Sequence, residues 1–294
     1  MKLKGKVILL TMYASFVTPL WADRGSIPFM PNVTIFEPNQ RAMIAWNGTE
    51  EILLLSTDLK ASESTKVLEV LPLPSEPKVT KGDVDVFRRA TTLINRKVGD
   101  ETKNLNTRDG VKIAEPAGEI TFHEKIGAHN ISVAHVLDPS GFVEWVDDYL
   151  KKAGVSNPVV PENLKATVKE YTNEKFNWFV FDVVDLDDKT KTNDAIQYRF
   201  KTGSLFYPLR ISRTDTGETS IDLLILTPRL LTEFSGFNTD LIELRQPPIS
   251  ITSKELRSLN EDMDGLLGHQ ANMKLRVWHI TSTLNSFYKD IVAR

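Results

Sequence analysis

The chain has 294 residues, 41% hydrophobic and 26% charged, so it carries enough apolar side chain to build a core and lies far from compositions that stay disordered. Cysteine is absent, which excludes disulfides, thiolate metal sites, iron–sulfur clusters and a cysteine nucleophile. The formal net charge of −3 gives no electrostatic reason to expect nucleic acid or anionic lipid as a partner.

Lys2, Lys4 and Lys6 precede an apolar run from Val7 to Leu20, followed by the small residue Ala22. That order predicts a secretory signal peptide over residues 1–22, cleaved after Ala22, because the run is shorter than the ~20 residues that span a bilayer. The mature part, 23–294, then loses three lysines and no acid, and its balance becomes 33 − 39 = −6. The expected destination is the periplasm or the exterior. The final residues, Ser286 to Arg294, carry no apolar span, so no stable membrane anchor is expected after cleavage.

Arg41 to Trp46 and Glu51 to Thr57 flank Asn47-Gly48, the dipeptide of a type I′ hairpin turn. Lys66 to Leu71 reads as a strand that runs into Pro72-Leu73-Pro74-Ser75-Glu76-Pro77, where the ladder is expected to stop. Val86, Phe87, Ala90, Leu93 and Ile94 recur at helical spacing within Gly82 to Val98, and residues 99–118 read as a loop and the softest place to subdivide the chain. Glu119 to Ile126 and Asn130 to Leu137 suggest a second hairpin around Gly127. Asp138-Pro139-Ser140 starts a helix that ends at Gly154, and Pro161-Glu162 opens another. Asn177 to Val184, Ala195 to Lys201, Leu205 to Ile211 and Ser220 to Thr227 read as strands; Thr252 to Leu267 reads as two short helices, and Met273 to Thr281 as a last strand. The predicted class is α+β, a mainly antiparallel β-sheet with several short helices packed on one side.

Several blocks together resemble a known family. These are Ala22-Asp23-Arg24-Gly25, Glu37 to Gly48 with Glu50 to Leu53, Val70 to Pro77, Val133 to Leu137, Trp145 to Leu150, Trp178 to Phe181 and Tyr207 to Ser212. In this order they are similar to the secreted bacterial and archaeal proteins grouped as domain of unknown function 2330. The resemblance implies an exported protein of uncharacterised activity. Some relatives have cysteines near the mature start or a C-terminal membrane span; this chain shows neither, so anchoring is not carried over. The family supplies no catalytic residue to transfer.

Three histidines, His123, His129 and His135, fall within the second proposed hairpin and are the obvious zinc ligands in a chain without thiolates. Alternation places His135 on a face with Ile131 and Val133, and His123 on one with Thr121 and Lys125, which favours a hydrogen-bonded, partly buried His135 over a shared site. Asn260 to Gly265 resembles the first half of a calcium loop, with Asp262 and Asp264 at alternate positions, but the twelfth position is Ala271 rather than glutamate. A helix capped by Asn260 fits the same residues. Asp185, Asp187 and Asp188 read as a solvated turn or a weak calcium site. G-x-S-x-G, H-E-x-x-H and S-x-x-K are all missing, and His135, Asp138 and Ser140 read as a helix cap rather than a triad. The expectation is a non-enzymatic extracytoplasmic binding or structural protein, its ligand or protein partner unknown and no cofactor needed. The alternative is a metal-assisted exported hydrolase using zinc or calcium.

Overall fold

In the computed structural model, residues 25–30, 33–109, 130–136, 139–155, 157–192, 194–215, 217–235, 238–244 and 246–294 are described. Two segments invoked above, the leader 1–22 and the strand Glu119 to Ile126, lie outside them, as do His123 and His129. The first half runs β1 (Gly25–Pro28), β2 (Ile35–Phe36), β3 (Asn39–Trp46), β4 (Glu50–Ala61), β5 (Thr65–Leu73), β6 (Lys78–Lys81), α1 (Asp85–Asp109), β7 (Asn130–His135) and α2 (Pro139–Lys152). Next come α3 (Glu162–Asn173), β8 (Trp178–Leu186), β9 (Lys191–Thr192), β10 (Ile196–Lys201), β11 (Leu205–Tyr207), a 3₁₀ turn (Arg210–Thr214) and β12 (Glu218–Thr227). The chain closes with β13 (Phe234–Ser235), β14 (Ile242–Leu244), β15 (Ile249–Ile251), α4 (Ser253–Leu259), α5 (Glu261–Leu266), β16 (Met273–Thr283) and β17 (Ile291–Ala293).

The class is α+β and the sheets are mainly antiparallel. A large sheet follows the order β14-β16-β12-β3-β4-β10-β6, a four-stranded sheet the order β1-β5-β8-β7, and a small one the order β11-β17-β13. One ladder departs from the pattern: β12 pairs with β3 in parallel, Leu224 opposite Met43, while β3 and β12 are antiparallel to β4 and β16.

Strand alternation divides the core between the faces of the large sheet. Ala42, Ile44, Trp46, Leu53 and Leu55 point to one face and share a core with the four-stranded sheet, α2 and α3, where Phe142 meets Phe179 and Phe181. Met43, Ala45, Ile52 and Leu54 point to the other and meet Val86, Phe87 and Ala90 of α1 and Leu256 and Met263 of α4 and α5. The helices thus form two groups rather than one layer, and the central strands are buried on both sides. Each buried Leu, Ile or Phe contributes roughly 1.5–3 kcal/mol of transfer free energy.

Four local expectations change. The β3–β4 hairpin forms, but the Asn47 amide bonds to the Glu50 carbonyl (3.2 Å), so Gly48-Thr49 are its central residues. Only Gly48 has positive φ (108°), as a glycine-first type II′ turn requires, and the Asn47 carboxamide oxygen accepts from the Thr49 and Glu50 amides, both at 2.9 Å. β5 continues past Pro72, which stands opposite Phe179 of β8; among the described residues β1 pairs with β5 only up to Val70, so no described strand needs a donor from the proline on that side. α1 runs to Asp109 rather than stopping at Val98; polar residues do not end a helix, and Gly99 costs only about 1 kcal/mol. The strand expected over Leu205 to Ile211 ends at Tyr207, because Pro208 cannot donate to a ladder, and Arg210–Thr214 turn as a 3₁₀ segment. Between Thr252 and Leu267 both short helices form: a Thr252/Glu255 capping box opens α4, and the Asn260 side chain accepts from the Met263 amide (3.0 Å) to open α5.

Candidate functional site

The outer edge of β16 is covered in two pieces. β14 pairs with Trp278 to Ile280, and β15 pairs with Met273 to Leu275. Between them, Pro247 and Pro248 have no N–H to donate, so the pairing lapses opposite Arg276 and Val277. A cavity of about 340 Å³ opens at this break, and its described lining is Leu244, Gln246, Pro247 and Pro248 from one side of the gap and Arg276, Val277 and Trp278 from β16. Alternation sends Arg276 and Trp278 to the same face of β16, and Phe234 stands against both: its ring lies 4.5 Å from that of Trp278, and the guanidinium of Arg276 lies 5.5 Å above it.

Three residues of this lining each carry a buried side-chain donor with no acceptor among the described residues: Arg276 Nε, Trp278 Nε1 and Gln246 Nε2. Buried polar groups are nearly always hydrogen-bonded, so three unmet donors on residues of one lining are an exception that asks for an acceptor. Arg276 donates to the Leu231 carbonyl through Nη2, but no carboxylate among the described residues pairs with it. Burial alone therefore pushes its guanidinium below the ordinary arginine value, with nothing opposing the shift. A half-buried cation with an aromatic face beneath it and no counter-ion is a receptor for negative charge. Sequence reasoning did not single out these residues; the available signal was an arginine and a tryptophan two apart in an otherwise apolar strand, preceded by a Pro-Pro pair.

The residues proposed from sequence lie elsewhere. His135 is exposed on the edge strand β7, its ring stacked on Trp178 at 4.5 Å and 9°, instead of partly buried. Asp262 is exposed and accepts from Gln197 Nε2 (2.9 Å). Asp264 is fully buried, and its Oδ2 accepts from Ser253 Oγ (3.0 Å), Arg257 Nε (3.0 Å) and His269 Nδ1 (2.7 Å). These donors hold its carboxyl below the usual range against the opposing effect of burial, and the cluster pins α4 to α5. Asp187 accepts from the Lys189 amide (2.9 Å) and shapes a turn. Among the described residues, no three histidine or acidic side chains gather as a metal site would require.

Two other polar constellations were not visible in the sequence. On the large sheet, Asp222 and His279 stand opposite each other, with His279 Nδ1 2.8 Å from Asp222 Oδ1 and Nε2 3.4 Å from Ser220 Oγ. That is the order of a serine triad, but Thr281 Oγ1 shares the same Nε2 at 3.2 Å, and neighbours across two strands account for the contacts. Beneath α3, Arg210 lies 4.1 Å over the Tyr171 ring, pairs bidentately with Glu174 (2.6 and 2.7 Å) and faces Asp290 (3.3 Å). Asp290 accepts from the Tyr171 hydroxyl (2.7 Å) and the Arg210 amide (2.8 Å); burial raises its carboxyl to about 6 despite these partners. This network ties the segment before β17 to α3 and the 3₁₀ turn. A larger groove of about 570 Å³, between Ile27 to Met30 and the α2–α3 connection, is mostly apolar, and among its described residues no buried side-chain donor is unmet.

The fold and this cavity define an α+β protein with a donor-lined pocket at a broken sheet edge. A family model matches residues 23–259, and the chain belongs to that family, domain of unknown function 2330, described as uncharacterised proteins conserved in bacteria. No curated protein matches the chain. Among solved structures, the crystal structure of baculovirus P35 is similar at 11% identity over 91% of this chain and 99% of that one, with a TM-score of 0.46. A mutated baculovirus P35 after caspase cleavage aligns at 11% identity over 88% and 99%, with a TM-score of 0.38. Superpositions this loose say nothing of activity. No described helix is long and apolar enough to cross a membrane.

Proposed function

We propose that this chain is an exported, non-enzymatic binding protein whose ligand seats in the β14–β16 cavity. The observation that carries the reading is that three residues of one lining carry unmet buried donors, while the described lining residues offer no nucleophile and no general base. The groups that resemble catalysts elsewhere are engaged: Asp264 with three donors, and His279 with Asp222, Ser220 and Thr281. Export is supported by Lys2, Lys4 and Lys6 ahead of the apolar run and by a family match that starts at residue 23, next to the proposed cleavage after Ala22. Metal-assisted hydrolysis draws no support from the described residues.

The test is a thermal-shift screen of a chemically varied small-molecule set on the wild type and on Leu244→Trp, which fills the cavity from an exposed wall position. Ligands that stabilise the wild type are expected to lose their effect in the variant. Turnover of an ester or peptide substrate that disappears in Ser220→Ala would replace the binding reading with a hydrolase.

A further inference from the structure

From the Arg276 cavity we infer that the ligand is a monoanionic carboxylate carried on a compact apolar body. This inference rests on the binding reading and adds the chemistry of the ligand. Among the described residues of the lining Arg276 is the one ionisable group, and it matches a single negative charge. A phosphate dianion would bring more charge than the site can offset. The other described residues of the lining are Leu244, Gln246, Pro247, Pro248, Val277 and Trp278, of which only Gln246 and the Trp278 indole add side-chain hydrogen-bonding capacity.

The unmet atoms are all donors: Arg276 Nε, Trp278 Nε1 and Gln246 Nε2. No buried side-chain acceptor is left unmet on the described lining residues, so an acceptor-only head group is the complement. A carboxylate has two oxygens and about four acceptor sites, enough for three donors, and a guanidinium is the side chain best suited to it. An amide would place its NH₂ against at least one of these donors. A cation would face Arg276 with like charge.

The walls describe the rest of the ligand. Trp278 is 3% exposed, and Phe234 packs on it beneath the guanidinium, while Leu244 is 65% exposed at the mouth. An aromatic or branched aliphatic group attached close to the carboxylate would cover Leu244 and the two prolines while its head reached Arg276. The same chemistry occurs in free aromatic or branched acids and at the C-terminus of a peptide ending in an apolar residue.

The experiment follows the Trp278 indole N–H in two-dimensional ¹⁵N–¹H spectra of the mature protein, assigned by its loss in Trp278→Phe. The probes are 3-phenylpropionate, its neutral amide 3-phenylpropanamide, N-acetylphenylalanine and inorganic phosphate. Either acid is expected to shift the resonance saturably, the amide to bind at least tenfold more weakly, and Arg276→Gln to weaken the acids at least tenfold with the other resonances in place. Tighter binding of N-acetylphenylalanine would assign the source to peptide C-termini, and tighter binding of 3-phenylpropionate to free acids; both support the carboxylate. Equal binding of acid and amide, or tighter binding of phosphate, overturns the carboxylate while leaving a binding pocket. If none of the four probes moves the resonance, the carboxylate is overturned, and the Leu244→Trp screen decides separately whether the cavity binds anything.

Discussion

Glu51 lies wholly within the larger core, where its Oε2 accepts from the Phe206 amide at 2.8 Å and Oε1 has no partner. Burial pushes its carboxyl well above the ordinary range, so the neutral acid is the form that packs. Glu51→Gln keeps an acceptor for Phe206 and is expected to stay within about 1 kcal/mol of the wild type in urea denaturation at neutral pH. Glu51→Ala leaves that amide unmet and opens a cavity, at a cost of about 2–4 kcal/mol; equal losses in the two variants would contradict this account. Asp215 titrates in the same sense. Burial raises its carboxyl from 3.8 to about 7, although Ser26 donates to it through Oγ (3.1 Å) and the backbone amide (3.3 Å). Between those two values the folded protein holds a proton that the unfolded chain has released, so this group lowers stability as pH rises through the window, by at most about 1.4 kcal/mol per pH unit and less for its partial exposure. Asp215→Asn is expected to make the fall in stability from pH 4.5 to 6.5 shallower, read from chemical denaturation at several pH values. Parallel curves would show that Asp215 does not titrate there.

At the level of elements, much was legible where the signal is local. The β3–β4 hairpin, the Asn260 cap and both pieces of the Thr252 to Leu267 region follow from residues within a few positions of one another. What failed was set by partners far along the chain. Pro72 continues β5 opposite Phe179 of β8, more than a hundred residues on, and the parallel pairing of β12 with β3 joins segments whose alternation says nothing of direction. Gly82 is a further instance: it reads as the start of α1, yet its amide bonds to the Ala195 carbonyl at 2.7 Å and a β-carbon there would lie 2.9 Å from that oxygen. Gly82→Ala is expected to lower stability by about 1–3 kcal/mol through displacement of β10. Gly99→Ala, at a helical position with open space, is expected to be neutral or stabilising. Comparable losses in the two would contradict the close approach. The broken edge of β16 is of the same kind. Pro247-Pro248 is plain in the sequence, but that the gap falls opposite Arg276 depends on register with a strand some thirty residues on.

In the whole molecule, two cores flank a sheet whose central strands are buried on both faces, and no disulfide supports them. Its buried carboxyls are placed to serve this packing: Asp264 joins α4 to α5, and Asp290 with Arg210 and Tyr171 ties the end of the chain to α3. Against that background the Arg276 cavity stands out, since its lining residues carry three buried donors with no acceptor among the described residues. The candidate residues taken from sequence were those with familiar chemistry, histidine and aspartate, whereas the site rests on an arginine without a counter-ion among the described residues, a property of three-dimensional surroundings. The most direct test of the central claim is calorimetric titration of 3-phenylpropionate into the wild type and into Arg276→Gln. The account predicts one site per chain and affinity at least tenfold weaker in the variant; equal affinity in the two proteins would contradict it.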